Sequence, residues 1–168
     1  MKNITKTILG ISISAISAVA LAATGPTTTK RLSVMVKAPA AIDAVWQAQP
    51  DLAPKDVAAS DTLVGILTLS NTSIETATIT SADADDASKT GIVTFANQTS
   101  PDSKFATKIS SNNTDITLDK NIGNTTVRTT DGSLLPDNLP LNFVTAEGNT
   151  SVASGNYVAN IAITTTIK

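Results

Sequence analysis

The sequence predicts an all-β chain folded as an immunoglobulin-like sandwich, and three observations carry that prediction. Thr, Ser, Asn, Ala, Val and Ile dominate its 168 residues, and long helix formers are few. Apolar residues alternate with hydroxylic ones through many short runs, the pattern of sheets with one wet face. Gly, Pro, Asn and Asp punctuate those runs at the short spacing that sandwiches use. With three Phe, one Trp and one Tyr, the core has to be built mainly from Val, Ile, Leu and Ala.

In chain order, Met1–Lys6 is a short basic opening and Ile8–Ala20 an apolar run. Ala20-Leu21-Ala22 is an A-x-A cleavage signature. The run is too short and wrongly flanked for a membrane span, so residues 1–22 are predicted to be a secretory signal peptide, with Ala23 the mature start. A buried N-terminal helix is the other reading, and nothing later in the chain offers a helical layer to pack it on.

Leaving out Lys2 and Lys6 takes the basic residues from 12 to 10 against 14 acidic ones, a net charge of −4. No basic cluster survives, which argues against nucleic acid or an anionic membrane as partner. Cys and His are absent, removing Cys-His and Ser-His-Asp chemistry and the commonest metal ligand. There is no Gly-rich phosphate loop and no Gly-Lys-Ser/Thr. Nothing in the spacing marks a Ser–Lys dyad. A protein without enzymatic activity or cofactor is expected.

Ala23–Lys37 begins polar, with Gly25-Pro26, and then alternates: Leu32, Val34 and Val36 on one side, Ser33, Met35 and Lys37 on the other. One reading is a loose leader running into an ordinary first strand. The other is an extension that completes a neighbouring subunit's sheet by strand addition. Burying Leu32, Val34 and Val36 at roughly 1.5–3 kcal/mol each would yield on the order of 5–9 kcal/mol. Thr28 shares their parity, and so does Lys30, which suits a groove mouth better than a pocket.

Ala41–Trp46 is predicted to be the first strand, with Trp46 a core or edge plug rather than a ligand platform. Gln49–Ser60, holding Pro50 and Pro54, is predicted to be a loop. Thr62–Ser70 is the most apolar strand and is placed centrally, with Gly65 marking a bulge or a close approach. Asn71-Thr72 is a turn, and Ile74–Thr80 the next strand. The Ser81–Gly91 stretch contains Asp83, Asp85 and Asp86. It lacks the glycine and bidentate glutamate of an EF-hand loop, so a solvated acidic turn is expected rather than a calcium site. Gly91–Ala96, Lys104–Ile109, Asp115–Asp119 and Thr125–Thr130 are further strands. Asp131-Gly132 carries a type I′ hairpin signal. Leu134–Pro140 is an excursion before Leu141, Phe143 and Thr145 alternate.

The last stretch, Ser154–Lys168, organises the rest. Tyr157, Ala159, Ile161, Ile163, Thr165 and Ile167 share one side of an extended chain that starts at the Gly155-Asn156 turn signal. It is predicted to run unbroken to the carboxyl end. A glycine fourteenth from the end, followed by alternating apolar residues to the penultimate position, resembles the C-terminal strand of chaperone–usher pilins. Gly155 occupies the glycine position, and Ile167 stands where many pilins carry an aromatic.

A Thr-rich leader and Lys-x-Leu-x-Val-x-Val precede a strand reaching Trp46. Val45–Pro50, Val57–Ser60 and Leu63–Leu67 then follow in the order of elements of Sef-type fimbrial subunits. The chain thus resembles that group and its Afa/Dr and enterotoxigenic colonisation-factor relatives, over most of its mature length.

The resemblance implies residues 1–22 as signal peptide, 23–37 as donor-strand extension and 38–168 as an incomplete sandwich finished by donor-strand exchange. It implies Thr28, Leu32, Val34 and Val36 as donor residues. Gly155, Tyr157, Ala159, Ile161, Ile163 and Ile167 would form the groove edge that pairs with the chaperone. The implied partners are identical subunits, a periplasmic chaperone, an outer-membrane usher and a host-cell receptor. The implied location is an extracellular adhesive fimbria reached through the periplasm. A self-contained secreted binding module and a tip or minor pilin are the competing readings.

Overall fold

The computed structural model describes residues 42–70 and 73–167. The predicted signal peptide, the donor segment with Thr28, Leu32, Val34 and Val36, and the Asn71-Thr72 turn lie outside them.

Ten strands follow one another: β1 (Asp43–Ala48), β2 (Leu63–Ser70), β3 (Ile74–Ser81), β4 (Ile92–Asn97), β5 (Lys104–Ser110), β6 (Ile116–Asn121), β7 (Asn124–Thr129), β8 (Leu139–Thr145), β9 (Tyr157–Val158) and β10 (Ile161–Ile167). All their pairings are antiparallel. They form a six-stranded sheet in the order β1-β2-β8-β5-β4-β9 and a four-stranded sheet in the order β10-β3-β7-β6. This is the immunoglobulin-like sandwich that the alternation predicts. Leu67, Leu69, Leu141 and Phe143 from the larger sheet and Ala77, Ile79 and Val127 from the smaller one are buried together. Their outward neighbours, such as Thr76, Thr78 and Thr126, stay partly in water.

Several expectations are adjusted. The first strand runs two residues later than predicted, because the ladder to β2 continues to Ala48↔Gly65. The predicted loop from Gln49 to Ser60 contains one helical turn, α1 (Pro54–Ala58). Pro54 suits the first turn, where its missing N–H is no loss, and the Asp56 carboxylate accepts from the Ala53 amide at 3.1 Å.

Gly65 is both a bulge and a close approach. The β2–β8 register shifts between Leu63 and Gly65, which turns Val64 inward. A Cβ at Gly65 would collide with the Trp46 ring and lie 2.7 Å from the Gln47 carbonyl oxygen. β8 begins at Leu139 and takes in Pro140, whose absent N–H is tolerated because β5 pairs only from Asn142 onward.

Asp131-Gly132 does not form a type I′ hairpin. Gly132 has a φ of +73° but Asp131 does not join it at positive φ, and the segment links β7 of one sheet to β8 of the other. The hairpin in this region is β6–β7, turning at Ile122-Gly123, with Gly123 at a φ of +78°.

The C-terminal stretch is not one unbroken strand. β9 pairs with β4 (Ala96↔Val158, Asn97↔Tyr157) in the larger sheet. The chain breaks at Ala159-Asn160, and β10 pairs with β3 in the smaller one. The predicted parity nevertheless survives in β10, where Ile163 faces Ile79 and Thr165 faces Ala77. A register shift at Thr166/Ile167 sets Ile167 opposite Ile74, keeping both on the inner face.

Candidate functional site

Three structural features meet along one side of the sandwich. β1 stands at the edge of the larger sheet, and every one of its residues is exposed. β10 stands at the edge of the smaller sheet and, among the described residues, its ladder runs to β3 alone. Its inward side chains are incompletely covered: Ile161 and Ile163 are half-buried, and Ile167 is 43% exposed. Inner-face apolar residues left partly in water beside a sheet edge offer a surface on which a further strand could be laid.

The floor of this side is aromatic. The chain's five aromatic residues form one connected ladder. Trp46 meets Phe143 edge-on at 5.2 Å and Phe95 at 6.1 Å; Phe95 stacks on Phe105 at 5.2 Å, and Phe105 reaches Tyr157 at 5.2 Å. Such ring pairs add about 0.5–1.5 kcal/mol each beyond the area they bury. Trp46, 40% exposed, lies on Gly65 as an edge plug.

A cavity of about 310 Å³ opens between Trp46, Leu67, Phe95, Phe143, Ala159 and Ile161. A second hollow of about 460 Å³, reaching Leu52, Val57 and Val152, continues past Trp46 and Tyr157. Among the described residues, no titratable side chain lines the first apart from the Tyr157 phenol, whose hydroxyl is held by Ser103 and the Ala153 carbonyl, both at 2.7 Å. The described lining is therefore suited to apolar side chains.

Gly155, Tyr157, Ala159, Ile161, Ile163 and Ile167 all fall along this side, but not as one edge. Tyr157 belongs to β9, Ala159 to the crossing, and only Ile161, Ile163 and Ile167 to β10. Gly155 precedes both β9 and β10. It has a φ of +150°, and a Cβ there would lie 2.5 Å from Asn97 Nδ2. Asn97 Oδ1 accepts from the Thr99 amide and hydroxyl, both at 2.9 Å, and from the Ser100 amide at 3.1 Å. That network turns the buried Nδ2 toward Gly155, where it has no hydrogen-bond partner. The glycine is required because backbone and amide touch here.

Sequence reasoning missed the other members. Leu67, Phe95, Phe105 and Phe143 sit on four different strands, and no spacing in the chain announces that they meet. The acidic turn also differs from expectation. Asp86 is not solvated: it is fully buried, at the end of a single 3-10 turn (Ala84–Asp86). Its Oδ2 accepts from the Ser81 hydroxyl and the Thr94 amide, both at 2.7 Å. Its Oδ1 accepts from the Thr94 hydroxyl at 2.6 Å and from Lys89 Nζ at 3.5 Å.

Burial pushes the Asp86 carboxyl up, but the hydrogen bonds from Thr94 and Ser81 outweigh it, leaving the group below the usual carboxylate value. Asp85 and Asp83 are drawn to Lys104 at 3.0 and 3.5 Å. These carboxylates are thus engaged by protein donors. Among the described residues, no group of three or more acidic side chains is arranged to hold a cation.

The arrangement is that of an immunoglobulin-like sandwich with one side incompletely covered. Its fold matches the crystal structure of the E. coli Hda pilus minor tip subunit, HdaB, with a TM-score of 0.52 at 11% identity. That match covers 76% of this chain and 84% of that one. A crystal structure of SefD_dscA aligns more loosely, at a TM-score of 0.48 and 17% identity over 76% of this chain and 98% of that one. No family model matches the chain. The sequence is 55% identical to a CS3 fimbrial subunit of Escherichia coli, over 168 residues and the whole of both chains. The chain belongs to that fimbrial subunit family; it is a structural subunit of a surface fimbria.

Proposed function

We propose that this protein polymerises by donor-strand complementation, in a fimbria that attaches bacteria to host cells. The single observation that carries the reading is β10: a sheet-edge strand with half-covered Ile161 and Ile163 above an aromatic-floored cavity, in a chain of a fimbrial family. In this account residues 1–22 direct export to the periplasm and are removed. A periplasmic chaperone strand first covers the groove edge formed by Ile161, Ile163 and Ile167. At an outer-membrane usher, the 23–37 segment of the next copy replaces it, with Thr28, Leu32, Val34 and Val36 as the inserted side chains. The exchange needs no nucleotide if the final pairing buries more apolar area. The role is structural rather than enzymatic, in keeping with the absence of His and Cys.

Deleting residues 23–37 tests the proposal. Wild-type mature chain, secreted with its chaperone and usher, should yield a ladder of oligomers that survives mild detergent. The deletion should yield chaperone-bound single subunits only. Oligomers of the deleted chain at wild-type abundance would refute donor exchange through this segment.

A further inference from the structure

We infer that Asp86 is a positioning residue for the groove edge, holding the C-terminal stretch where it passes from one sheet to the other. The inference rests on the donor-strand reading for its functional meaning, though its geometry is independent of that reading.

The two halves of the C-terminal stretch hang from two different strands. β9 is held by β4, through Ala96 and Asn97. β10 is held by β3, where Ile161 faces Ser81, and the Ala82 amide donates to the Asn160 carbonyl at 2.9 Å in the break itself. Ser81 ends β3, and Thr94 lies in β4 two residues before Ala96. One carboxylate oxygen, Asp86 Oδ2, accepts from both the Ser81 hydroxyl and the Thr94 amide. A single atom therefore ties the smaller sheet to the larger one beside the point where the C-terminal stretch changes sheets.

The turn that carries Asp86 is clamped from outside. Lys104, which faces Ala96 across the β4–β5 ladder, pairs with Asp85 and Asp83, and Lys89 pairs with Asp86 itself. A buried carboxylate acting only as ballast would be poorly tolerated. This one has its closest donors on the two strands that carry the crossing.

Hydrogen exchange on the full chain, read by peptide mass spectrometry, tests this. Asp86→Asn keeps only one of the two acceptor oxygens, so whichever way the amide turns, its nitrogen faces a donor it cannot accept from, the Thr94 N–H on one side or Lys89 Nζ on the other. Exchange within residues 157–163 should speed up roughly tenfold relative to the other strands. The comparison is Val127→Ala, a buried change in β7, which β3 separates from β10, measured at equal loss of global stability. Two milder variants guard against misfolding: Ser81→Ala should loosen Ile161–Ile163 first, and Thr94→Val should loosen Tyr157–Val158 first.

If Asp86→Asn and Val127→Ala speed this segment equally, or if the two milder variants loosen both halves alike, the positioning role is overturned. A synthetic peptide of residues 27–36 provides the link to assembly, since its capture should fall in Asp86→Asn by the factor read from exchange. Failure of the wild type to capture the peptide would count against the donor-strand reading, while the exchange data would still decide the role of Asp86.

Discussion

Replacing Gly155 with alanine perturbs the start of the C-terminal stretch in two separable ways. The backbone sits at a φ of +150°, where an L side chain costs about 1–3 kcal/mol. The new methyl would also lie 2.5 Å from Asn97 Nδ2 and 3.2 Å from its Cγ, an overpacking that costs about 1–3 kcal/mol in a tight interior. Asn97 cannot swing away freely, because three donors from Thr99 and Ser100 hold its Oδ1.

The expected total is about 3 kcal/mol, a shift of roughly 2 M in the urea midpoint for a slope of about 1.5 kcal/mol/M. Urea unfolding of wild type, Gly155→Ala, Asn97→Ala and the double variant separates the two costs. The alanine at 155 should cost about 1–3 kcal/mol less when Asn97 is already truncated. If Gly155→Ala shifts stability by under about 0.5 kcal/mol, the range of an ordinary surface change, the account of this glycine is wrong. Additive effects in the double variant would keep the backbone argument and remove the steric one.

Other outcomes follow from the same geometry. Gly65→Val should lift Trp46 from its seat, since even a Cβ there would collide with the ring. The expected cost is about 1–3 kcal/mol, with red-shifted emission from the only tryptophan; unchanged emission would contradict the packing. Because the folded-state pKa of Asp86 is depressed, its contribution is complete above the unfolded value of 3.8. It is lost as the pH falls through the lower folded value. Acid titration of the unfolding midpoint should therefore show a fall beginning at about pH 4, and a shallower one in Asp86→Asn. An equal fall in both proteins would assign the acid sensitivity elsewhere.

Much of the fold was legible because alternation reports burial directly. The runs that became β3, β4, β5 and β7 needed only end adjustments, and Gly65 was marked by a glycine inside an apolar strand. What stayed hidden depends on contacts between distant residues. The break at Ala159-Asn160 leaves the apolar periodicity intact, so nothing local separates one strand from two that change sheets. Asp86 looks like any other residue of an acidic turn until Ser81 and Thr94 are brought around it. The aromatic ladder joins β1, β4, β5, β8 and β9 at sequence separations no motif spans. Asp131-Gly132 misled because the dipeptide is common to many turns, and its conformation was decided by the crossing between sheets.

The division of the C-terminal stretch bears on tension. β9 is laced to one layer and β10 to the other, so a pull along this stretch loads both layers together. Force directed lengthwise along the β10–β3 ladder acts in shear on all its rungs at once, rather than peeling them one after another. In a filament whose links run through this stretch, drawing the chain out would require breaking the β9–β4 ladder in one layer and the β10–β3 ladder in the other.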